Sequence, residues 1–243
     1  MTTDACALAA RLNASYDAAG WREWLADALA HKEFAPVQLS AFNPEDVILS
    51  AWLAQEFPAV PILCLDTLKH FPCTLDYVEK MRNRYGLKTL QFLYPDEEKL
   101  KKLDPKGDMW SMQVNRCCYL RKVEPLEKEL EKRGYSCLIA GLRQEQTPER
   151  LDMAPASLDD KGRLKISPLF GWNKEKRDAY MHKKDVPHHP LYALGYPSMG
   201  CAPCTTPVYP GENERAGRWR HTKTSESSGK TECGLHAAAT KKQ

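Results

Sequence analysis

The spacing of four cysteines is the clearest indication of chemistry in this 243-residue chain. Cys117 and Cys118 are adjacent, and two residues separate Cys201 from Cys204. A Cys-x-x-Cys pair converges on one metal or forms a redox disulfide, whereas an adjacent pair alone is more often two small buried residues. Together the pairs supply four soft ligands, enough for a four-thiolate zinc or iron–sulfur site. Spacing leaves the metal open, although structural zinc usually takes two Cys-x-x-Cys pairs.

A fifth cysteine, Cys233, stands apart from any apolar pattern near the end of the sequence. It follows the polar stretch 221–230, whose composition is typical of a mobile linker. Gly234 permits close backbone approach, and His236 can stabilise a thiolate if the segment folds over a site. Glu232 opposes thiolate formation, so an activating charge would have to come from elsewhere. Cys233 is a candidate nucleophile, with an exposed, inert thiol as the alternative.

Arginines cluster in two stretches where an anionic ligand would need them. Arg143 and Arg150 lie in GLRQEQTPER, and Arg215 and Arg218 lie in GENERAGRW. The planar guanidinium donates two parallel hydrogen bonds, which suits sulfate and phosphate. These four arginines are therefore candidates for anion binding, with a solvated surface loop as the simpler alternative.

Alternating strands and helices must position these side chains. Residues 1–34 carry apolar side chains at helical spacing and predict one or two amphipathic helices. Strands and helices then alternate, which predicts an α/β fold, a parallel twisted sheet with helices on both faces. The predicted strands are 37–42, 60–65, 88–94 and 138–140, and the predicted helices are 47–57 and 71–85.

Ligands of parallel sheets bind beyond the carboxyl ends of the strands. Three polar stretches, 40–46, 66–67 and 141–150, each begin just after a predicted strand. Asn43 is a predicted N-cap with Pro44 at the first helical position, and such a helix start offers backbone N–H groups to an anion. The sequence therefore predicts an anion site at this edge of the sheet.

The overall composition is that of an ordinary globular protein, with 42% hydrophobic and 28% charged residues. The net charge of +3 is too small to indicate nucleic acid. The N-terminal sequence lacks a basic stretch followed by an apolar core, and no apolar run approaches the length of a membrane span. We expect a cytoplasmic protein with neither nucleic acid nor a membrane as partner. Nine cysteines in that reducing compartment favour metal ligation or thiol chemistry.

Three cysteine segments together resemble the sulfonucleotide reductases, specifically the bacterial assimilatory adenylyl-sulfate reductases. CCYLRKVEPL at 117–126 is similar to that family's tandem-cysteine segment, GYPSMGCAPCTTPVYPGENERAGRW at 195–219 to its second ligand segment, and ECGLH at 232–236 to its catalytic tail. The stretch 141–150 resembles its arginine loop. In combination the three cysteine segments are far more specific than any one alone.

The resemblance implies an adenine nucleotide alpha hydrolase-like fold of the pyrophosphatase-loop type, with a flexible C-terminal catalytic tail. It implies one 4Fe-4S cluster held by Cys117, Cys118, Cys201 and Cys204. It also implies reduction of adenylyl sulfate to sulfite and AMP in sulfate assimilation. Cys233 would attack the sulfur and become an S-sulfocysteine, from which thioredoxin or a glutaredoxin-like reductant would release sulfite.

The same resemblance assigns the remaining site residues and divides the chain. Lys122 and His236 join Cys233 as catalytic residues. The substrate-binding residues would be Ser40, Asn43, Asp66, Thr67, Arg143, Arg150, Arg215 and Arg218. The chain would consist of an N-terminal helical segment (1–34), a sulfonucleotide-binding α/β domain with the iron–sulfur site (35–205) and a basic C-terminal segment carrying the catalytic cysteine (206–243). The sequence leaves the oligomeric state open, a homo-oligomer included.

Five positions depart from the family's usual pattern, among them Arg220, which follows Trp219 where another tryptophan is usual. Asn43 and Leu68 stand where glycine is usual, Cys73 where glutamate is common, and Gln144 where a second arginine is frequent. A Cβ in place of hydrogen restricts backbone angles and close ligand approach. These departures bear on nucleotide affinity and specificity and leave the five chemically reactive cysteines unchanged.

Three other functions remain as alternatives. A phosphoadenylyl-sulfate reductase runs the same chemistry but generally lacks the two cysteine pairs, and a dual-specificity enzyme would accept both nucleotides. An iron–sulfur enzyme that transfers sulfur to tRNA should display an extended basic surface, against which the near-neutral charge counts. A zinc-stabilised binding module, in which Cys233 is incidental, is the non-enzymatic alternative.

Overall fold

A six-stranded sheet forms the centre of the computed structural model, which describes residues 2–222. Cys233 and His236, predicted as nucleophile and thiolate partner, lie outside the described residues. The strand order is β3-β2-β1-β4-β6-β5. The strands are β1 (Pro36–Leu39), β2 (Ile62–Leu65), β3 (Leu90–Leu93), β4 (Cys137–Ala140), β5 (Ala156–Leu158) and β6 (Leu164–Ile166).

The predicted parallel sheet is confirmed for five of these strands. β1 lies between β2 and β4 and pairs with both in parallel, and β3 and β6 extend the parallel sheet on either side. The edge strand β5 differs, because it pairs with β6 antiparallel. The sequence did not predict β5 or β6, which are only three residues long and carry little periodic pattern.

Helices surround the sheet and fill the connections between strands. The helices are α1 (Thr2–Ala14), α2 (Trp21–Leu29), α3 (Pro44–Glu56), α4 (Pro72–Tyr85), α5 (Glu97–Leu103), α6 (Met109–Met112), α7 (Val114–Cys118), α8 (Glu124–Arg133) and α9 (Lys174–Lys183). A π-helical turn, Tyr119–Val123, joins α7 to α8. Short 3₁₀ turns are Gln144–Gln146, Pro148–Arg150, Pro190–Leu194 and Ala202–Cys204. Within residues 2–222, every helix falls short of the length and apolarity needed to cross a membrane.

The two faces of the sheet carry hydrophobic cores of different size. Alternate strand residues point to opposite faces, so Ile62 belongs to one core and Leu63 to the other. The larger core contains buried side chains of α1, α2, α3, α4 and α9. The smaller core is formed mainly by Leu126 and Leu130 of α8 packed on the sheet. The N-terminal helices thus share the main core of the α/β fold rather than forming a separate one.

Proline and glycine set the ends of the helices that flank the site. α4 begins with Pro72 and is followed by Gly86, whose φ of 62° lies in the left-handed region. α8 has Pro125 in its first turn and ends before Gly134, whose φ is 68°. Proline tolerates the first helical turn and glycine the left-handed position after the last one. These residues fix where the loops around the sheet begin.

Candidate functional site: a polar cleft beside a cysteine pocket

A cleft opens where the strand order reverses, between β1 and β4. The chain passes from β1 to β2 on one side and returns to β4 on the other, so the loops after these strands diverge. Ser40, Leu65 and Gly141, at or just beyond the carboxyl ends of three strands, line the cleft. Its empty volume, including solvent at the mouth, is about 1220 Å³. The predicted position of the ligand site therefore coincides with this cleft.

The loop after β1 turns sharply into α3. Phe42 has a φ of 54°, and Ser40 Oγ accepts a hydrogen bond from Phe42 N at 3.3 Å. Asn43 is the N-cap, as predicted, with an ordinary φ of −69°. Its side chain does not cap α3, because Asn43 Oδ1 instead accepts a hydrogen bond from Met199 N at 3.1 Å. Asn43 thus joins the loop to the segment that precedes the second cysteine pair.

Asp46 fastens the loop after β1 to the loop after β4. Its carboxylate accepts hydrogen bonds from Ala41 N at 2.9 Å and Gly141 N at 3.2 Å. A Cβ at Gly141 would lie 2.4 Å from Asp46 Oδ1 and 2.9 Å from Asp46 N, so only glycine allows this approach. Burial, opposed in part by these hydrogen bonds, raises the pKa of Asp46 to about 7.

Four charged residues, three of them buried, form an ion network at the wall of the cleft. Glu45 and Glu214 each accept hydrogen bonds from both Arg143 and Arg177. The side chains of Arg143 and Arg177 are 0% and 1% exposed. Burial opposes the charge of both guanidinium groups, but Glu45 and Glu214 outweigh it and hold both pKa values above the ordinary one. Glu145 and Asp178 add one further carboxylate beside Arg143 and Arg177, respectively.

Two predicted substrate-binding residues lie away from the cleft surface. Arg143 is committed to the carboxylates of Glu45, Glu145 and Glu214 and does not line the cleft. Asp66 also does not line it, and its carboxylate accepts a hydrogen bond from Leu68 N at 2.8 Å. Both residues support the loops that surround the cleft, and any direct contact with a ligand stays a prediction.

The other predicted substrate-binding residues and Lys122 are gathered in the cleft, which gives it a basic side. These residues are Ser40, Asn43, Thr67, Lys122, Arg150, Arg215 and Arg218. Arg218 donates a hydrogen bond to Met199 O at 2.8 Å and lies over the Trp219 ring at 4.7 Å. A Cβ at Gly200 would lie 2.1 Å from the Arg218 guanidinium. Any larger residue at position 200 would therefore force this guanidinium to shift.

A second, smaller pocket beside the cleft is lined by all four cysteines of the two pairs. Cys117, Cys118, Cys201 and Cys204 are 7–9% exposed and share the pocket with Trp110, Val114 and Trp219. Burial, with the neighbouring thiols, raises the pKa of Cys117 to about 11 and that of Cys204 to about 12. The two segments, far apart in sequence, thus meet at one point.

Lys122 and Arg218 line both pockets, so the cleft and the cysteine pocket share a basic wall. Lys122 belongs to the π-helical turn that follows the tandem cysteines. An extra residue in a helical turn rotates the side chains that follow it, and such turns are frequent at functional sites. The π-helical turn is a finding of the structure, since no sequence pattern indicated it.

Arg121 and Thr67 connect the cysteine pocket to the sheet. Arg121, 5% exposed, donates hydrogen bonds to Thr67 O at 3.0 Å and to the buried Asp104 carboxylate at 2.7 Å. Thr67 Oγ1 lies 3.2 Å from Cys201 Sγ. The loop after β2 therefore touches both cysteine segments, Arg121 being three residues beyond Cys118.

The donor set of the cysteine pocket fits a thiolate-bound metal group in chemical type and in location. All eight cysteines of residues 2–222 are free of disulfides, so the four thiols remain available as ligands. Over the same residues, no group of three or more His, Cys, Asp or Glu side chains is drawn together closely enough to hold a metal ion. The pocket therefore contains four thiol donors of the right type, but their sulfur atoms do not form a complete ligand shell.

Sequence reasoning missed several residues that line or support the cleft. Glu45 and Glu214 belong to the ion network, Asp46 fastens two loops, and His70 lines the wall beside β2. His70 Nε2 donates to Leu65 O at 2.8 Å, and burial lowers the pKa of His70. No local pattern marks Glu45 and Asp46 as site residues, because their long-range partners Gly141, Arg143 and Arg177 lie 95 to 132 residues away in sequence.

Fold and site together define a class of protein, an α/β protein with a polar cleft with a basic wall at the strand ends and an adjacent thiol pocket. Residues 35–207 match the sequence model of the phosphoadenosine phosphosulfate reductase domain. The chain belongs to this family. It is 36% identical over 202 residues to a Staphylococcus epidermidis protein named adenosine 5'-phosphosulfate reductase, covering 82% of this chain and 79% of that protein. A Geobacillus kaustophilus protein of the same name is 37% identical over 218 residues, covering 87% and 88%.

Solved structures agree with the family assignment. The phosphoadenylyl-sulfate (PAPS) reductase of Candida auris, a phosphate complex, superposes with a TM-score of 0.68 at 26% identity, covering 82% of this chain and 96% of that one. The FMN adenylyltransferase of Candida glabrata superposes with a TM-score of 0.52 at 17% identity, covering 71% and 57%. The second likeness shows a shared fold alone. The predicted adenine nucleotide alpha hydrolase-like fold is confirmed by the superposition with the Candida auris enzyme.

Proposed function

We propose that this protein reduces adenylyl sulfate to sulfite and AMP in sulfate assimilation. Curated relatives at 36–37% identity bear the name adenosine 5'-phosphosulfate reductase. The reaction is a reduction at sulfur, so the protein is an oxidoreductase. The proposal includes a cytoplasmic location, where thiols stay reduced.

One observation carries the proposal, namely that Lys122 and Arg218 line both the polar cleft and the cysteine pocket. A nucleotide in the cleft would have its phosphate and sulfate near Arg150, Arg215 and Arg218, whose guanidinium groups suit such oxyanions. Its sulfate end would then point toward the shared wall. This arrangement favours a ligand with two adjacent anionic groups, as adenylyl sulfate has.

The four cysteines of the pocket would hold one 4Fe-4S cluster, since four thiolates are the usual ligand set. When bound, the cluster would add its charge and polarity beside the shared wall. Lys122 would stand between the cluster and the sulfate, and its ammonium group would offset negative charge that develops during the reaction. Thr67 and Arg121 would orient the ligand segments through their contacts with Cys201 and the loop after β2.

Cys233 would supply the electrons that form the first new bond. Its thiolate attacks the sulfur of adenylyl sulfate, a sulfur–sulfur bond forms, and the bond from sulfur to the phosphate oxygen breaks. AMP leaves with the electron pair of that bond, and Arg150 and Arg215 would stabilise the released phosphate charge. His236 would stabilise the thiolate before the attack.

Thioredoxin, or a glutaredoxin-like dithiol, would complete the turnover. One thiolate of the reductant attacks the Cys233 sulfur of the S-sulfocysteine, and sulfite leaves with the electron pair of the sulfur–sulfur bond. The second thiol of the reductant then resolves the mixed disulfide and returns Cys233 to its thiol. The reductant is thereby oxidised by two electrons for each sulfite released.

The proposal is tested by preparing the protein without oxygen and assaying wild type beside Cys233→Ser. We expect about four irons and four sulfides per chain in both. Wild type should release sulfite and AMP from adenylyl sulfate with thioredoxin and, without reductant, accumulate a covalent adduct visible by mass spectrometry. Cys233→Ser should form no adduct and release no sulfite, while still binding AMP.

Cys6→Ser provides the matched control, because Cys6 is exposed on α1 and lies in neither pocket. It should behave as wild type in every assay. Turnover by Cys233→Ser would exclude the covalent route. One zinc per chain with no sulfide and no turnover would instead support a zinc-stabilised binding module.

A second candidate substrate is phosphoadenylyl sulfate, which differs by a 3'-phosphate. It is favoured by the superposition with the Candida auris enzyme, whose name gives that substrate. The ratio of kcat/KM for the two nucleotides decides between them. A ratio of at least about tenfold in favour of adenylyl sulfate supports the main proposal, and near-equal values would indicate dual specificity.

A further inference from the structure

Residues 206–222, here called the C-terminal arm, carry two of the arginines that line the cleft. The arm returns on itself, since Thr206 N donates to Gly217 O at 2.9 Å, and Trp219 N donates to Cys204 O at 2.8 Å. A Cβ at Gly217 would lie 2.0 Å from Thr206 O, so the two strands of the arm meet closely. Arg215 and Arg218 lie in the returning part.

Glu214 is the residue through which the arm contacts the buried ion network. Its two carboxylate oxygens accept from different arginines, Oε2 from Arg143 and Oε1 from Arg177 at 2.8 Å. Its side chain is 14% exposed, and it also lines the cleft. Arg177 is held on its other side by Tyr192, whose hydroxyl lies 2.9 Å from Nη2. The arm is thus attached to the loop after β4 and to α9 through one carboxylate.

A tight turn transmits the position of Glu214 to its neighbour. Arg215 N donates to Asn213 Oδ1 at 2.8 Å, and Arg218 N donates to Arg215 O at 2.9 Å. Arg215 itself reaches Ser198 Oγ at 3.5 Å across the cleft and stacks toward Trp219, with 5.9 Å from its guanidinium carbon to the ring. Because the turn is short and bonded, a shift of Glu214 moves Arg215.

We propose that Glu214 is a positioning residue that holds Arg215 in the cleft by binding Arg143 and Arg177. This inference rests on the proposed function, because it assigns Arg215 to the anionic part of the nucleotide. Glu214 acts through Arg215 and does not itself contact the reacting atoms. The role also explains why Arg143 and Arg177, both buried, carry their charges so close to an anion site, since they serve the carboxylates rather than the ligand.

The first experiment compares Glu214→Gln with Glu212→Gln in the anaerobically prepared full chain. Glu212 is a matched control from the same arm, and it pairs with the guanidinium of Arg220 at the surface. In Glu214→Gln the side-chain amide donors would face guanidinium donors, so the arm should loosen. We expect the Kd for AMP and the KM for adenylyl sulfate to rise about tenfold. Because Arg215 also stabilises the charge on the leaving phosphate, kcat should fall as well, while the iron content stays unchanged. Glu212→Gln should match wild type.

A double-mutant cycle separates positioning from a general loss of structure. If Glu214 acts through Arg215, the double variant E214Q/R215M should bind AMP no more weakly than R215M alone. Additive losses in the cycle would overturn the proposal, as would wild-type AMP affinity in Glu214→Gln. If Glu214→Gln does not fold, Glu214→Asp takes its place in the same cycle, because it keeps the charge and shortens the reach.

The experiment distinguishes failure of this inference from failure of the proposed function. If wild type binds AMP but does not reduce adenylyl sulfate, the proposed reaction falls, and the AMP cycle still decides the role of Glu214. If wild type turns over and the cycle is additive, only the role of Glu214 falls. If wild type binds no AMP, the nucleotide cleft and the positioning role are both wrong.

Discussion

The polar cleft and the cysteine pocket lie side by side yet are organised in opposite ways. In the cleft, Asp46 holds two loops together, and Glu45 and Glu214 neutralise the two buried arginines. In the cysteine pocket, burial raises the pKa values of Cys117 and Cys204 to about 11 and 12, so the protein itself favours neutral thiols. The buried charges of the cleft are therefore paired with one another. The cysteines of the pocket, in contrast, would become thiolates on binding a metal cation.

This difference teaches that the two halves of the site should respond to different perturbations. Changes in the cleft should alter nucleotide affinity and the stability of the fold. Changes in the cysteine pocket should alter metal content and turnover while leaving nucleotide binding largely intact. Lys122 and Arg218 line both pockets, so changes at these residues should affect both nucleotide affinity and turnover.

The largest effect is expected from Cys118→Ser and Cys201→Ser, which each remove one proposed ligand. Iron and sulfide should be lost, and adenylyl-sulfate reduction should fall by more than about 100-fold, because even indirect support of a metal ligand is worth 10–100-fold. AMP affinity should stay within about threefold of wild type, since both thiols lie outside the polar cleft. Metal analysis, turnover and AMP titration of the same samples measure this.

Cys73→Ser serves as the control for that pair, since Cys73 is partly exposed in the first turn of α4 and lines neither pocket. It should retain iron and activity. A loss of AMP affinity in Cys118→Ser as large as its loss of activity would contradict this comparison, because it would show that the two pockets form one cooperative unit.

An intermediate effect is expected from Asp46→Asn on the pH dependence of stability. Burial raises the pKa of Asp46 from its ordinary 3.8 to about 7, so the folded state retains a proton that the unfolded state has lost. The wild-type contribution is fully present below about pH 4 and is lost as the pH rises toward 7. Between pH 5 and pH 8, wild type should therefore lose about 2–3 kcal/mol of unfolding free energy relative to Asp46→Asn.

Denaturant unfolding at several pH values measures this difference, with the exposed Asp76→Asn as control. The control should follow the wild-type pH profile. Parallel pH profiles of unfolding free energy for wild type and Asp46→Asn would show that the carboxylate of Asp46 remains charged throughout. Water would then reach Asp46 more easily than its burial indicates.

The smallest effect is expected from Leu68→Gly, next to the contact between Thr67 and Cys201. Leu68 has a φ of 58° and is 47% exposed, so glycine would relieve a left-handed conformation and remove little buried surface. Stability should rise by about 0.5–1 kcal/mol, or about 1–4 °C in Tm. Asn43→Gly is the matched comparison, because φ is −69° there and the bond to Met199 N would be lost. It should lower Tm, and a rise in both variants would refute the backbone explanation.

The sequence predicted the fold well where patterns were long and locally determined. α3 and α4 extend over 13 and 14 residues, and the proline at each N-terminal end is visible in the sequence. β5 and β6 were missed because three-residue strands hold no period, and their pairing depends on contacts with distant segments. The family's glycine at position 68 was a sound guide, since the backbone there is left-handed even with leucine.

The residue types of the site were predictable from the sequence, but the role of each residue was not. The two cysteine pairs could be joined from soft-ligand chemistry, and the structure brings them to one pocket. Arg143 was indistinguishable from Arg150 by sequence. No local pattern shows that Glu45 and Glu214 pair with Arg143 rather than with Arg150. Asp46 and Gly141 form a contact across about 95 residues, which no local pattern encodes.

The meeting of the two cysteine pairs also has a consequence for the unfolded chain. A metal group bound by Cys118 and Cys201 would close a loop of about 80 residues, and a covalent link of that span removes on the order of 4–5 kcal/mol of chain entropy from the denatured ensemble. The enclosed residues include β4, β5, β6 and α9. Loading the pocket would thus raise the free energy of unfolding of half of the sheet, including strands that never touch the metal.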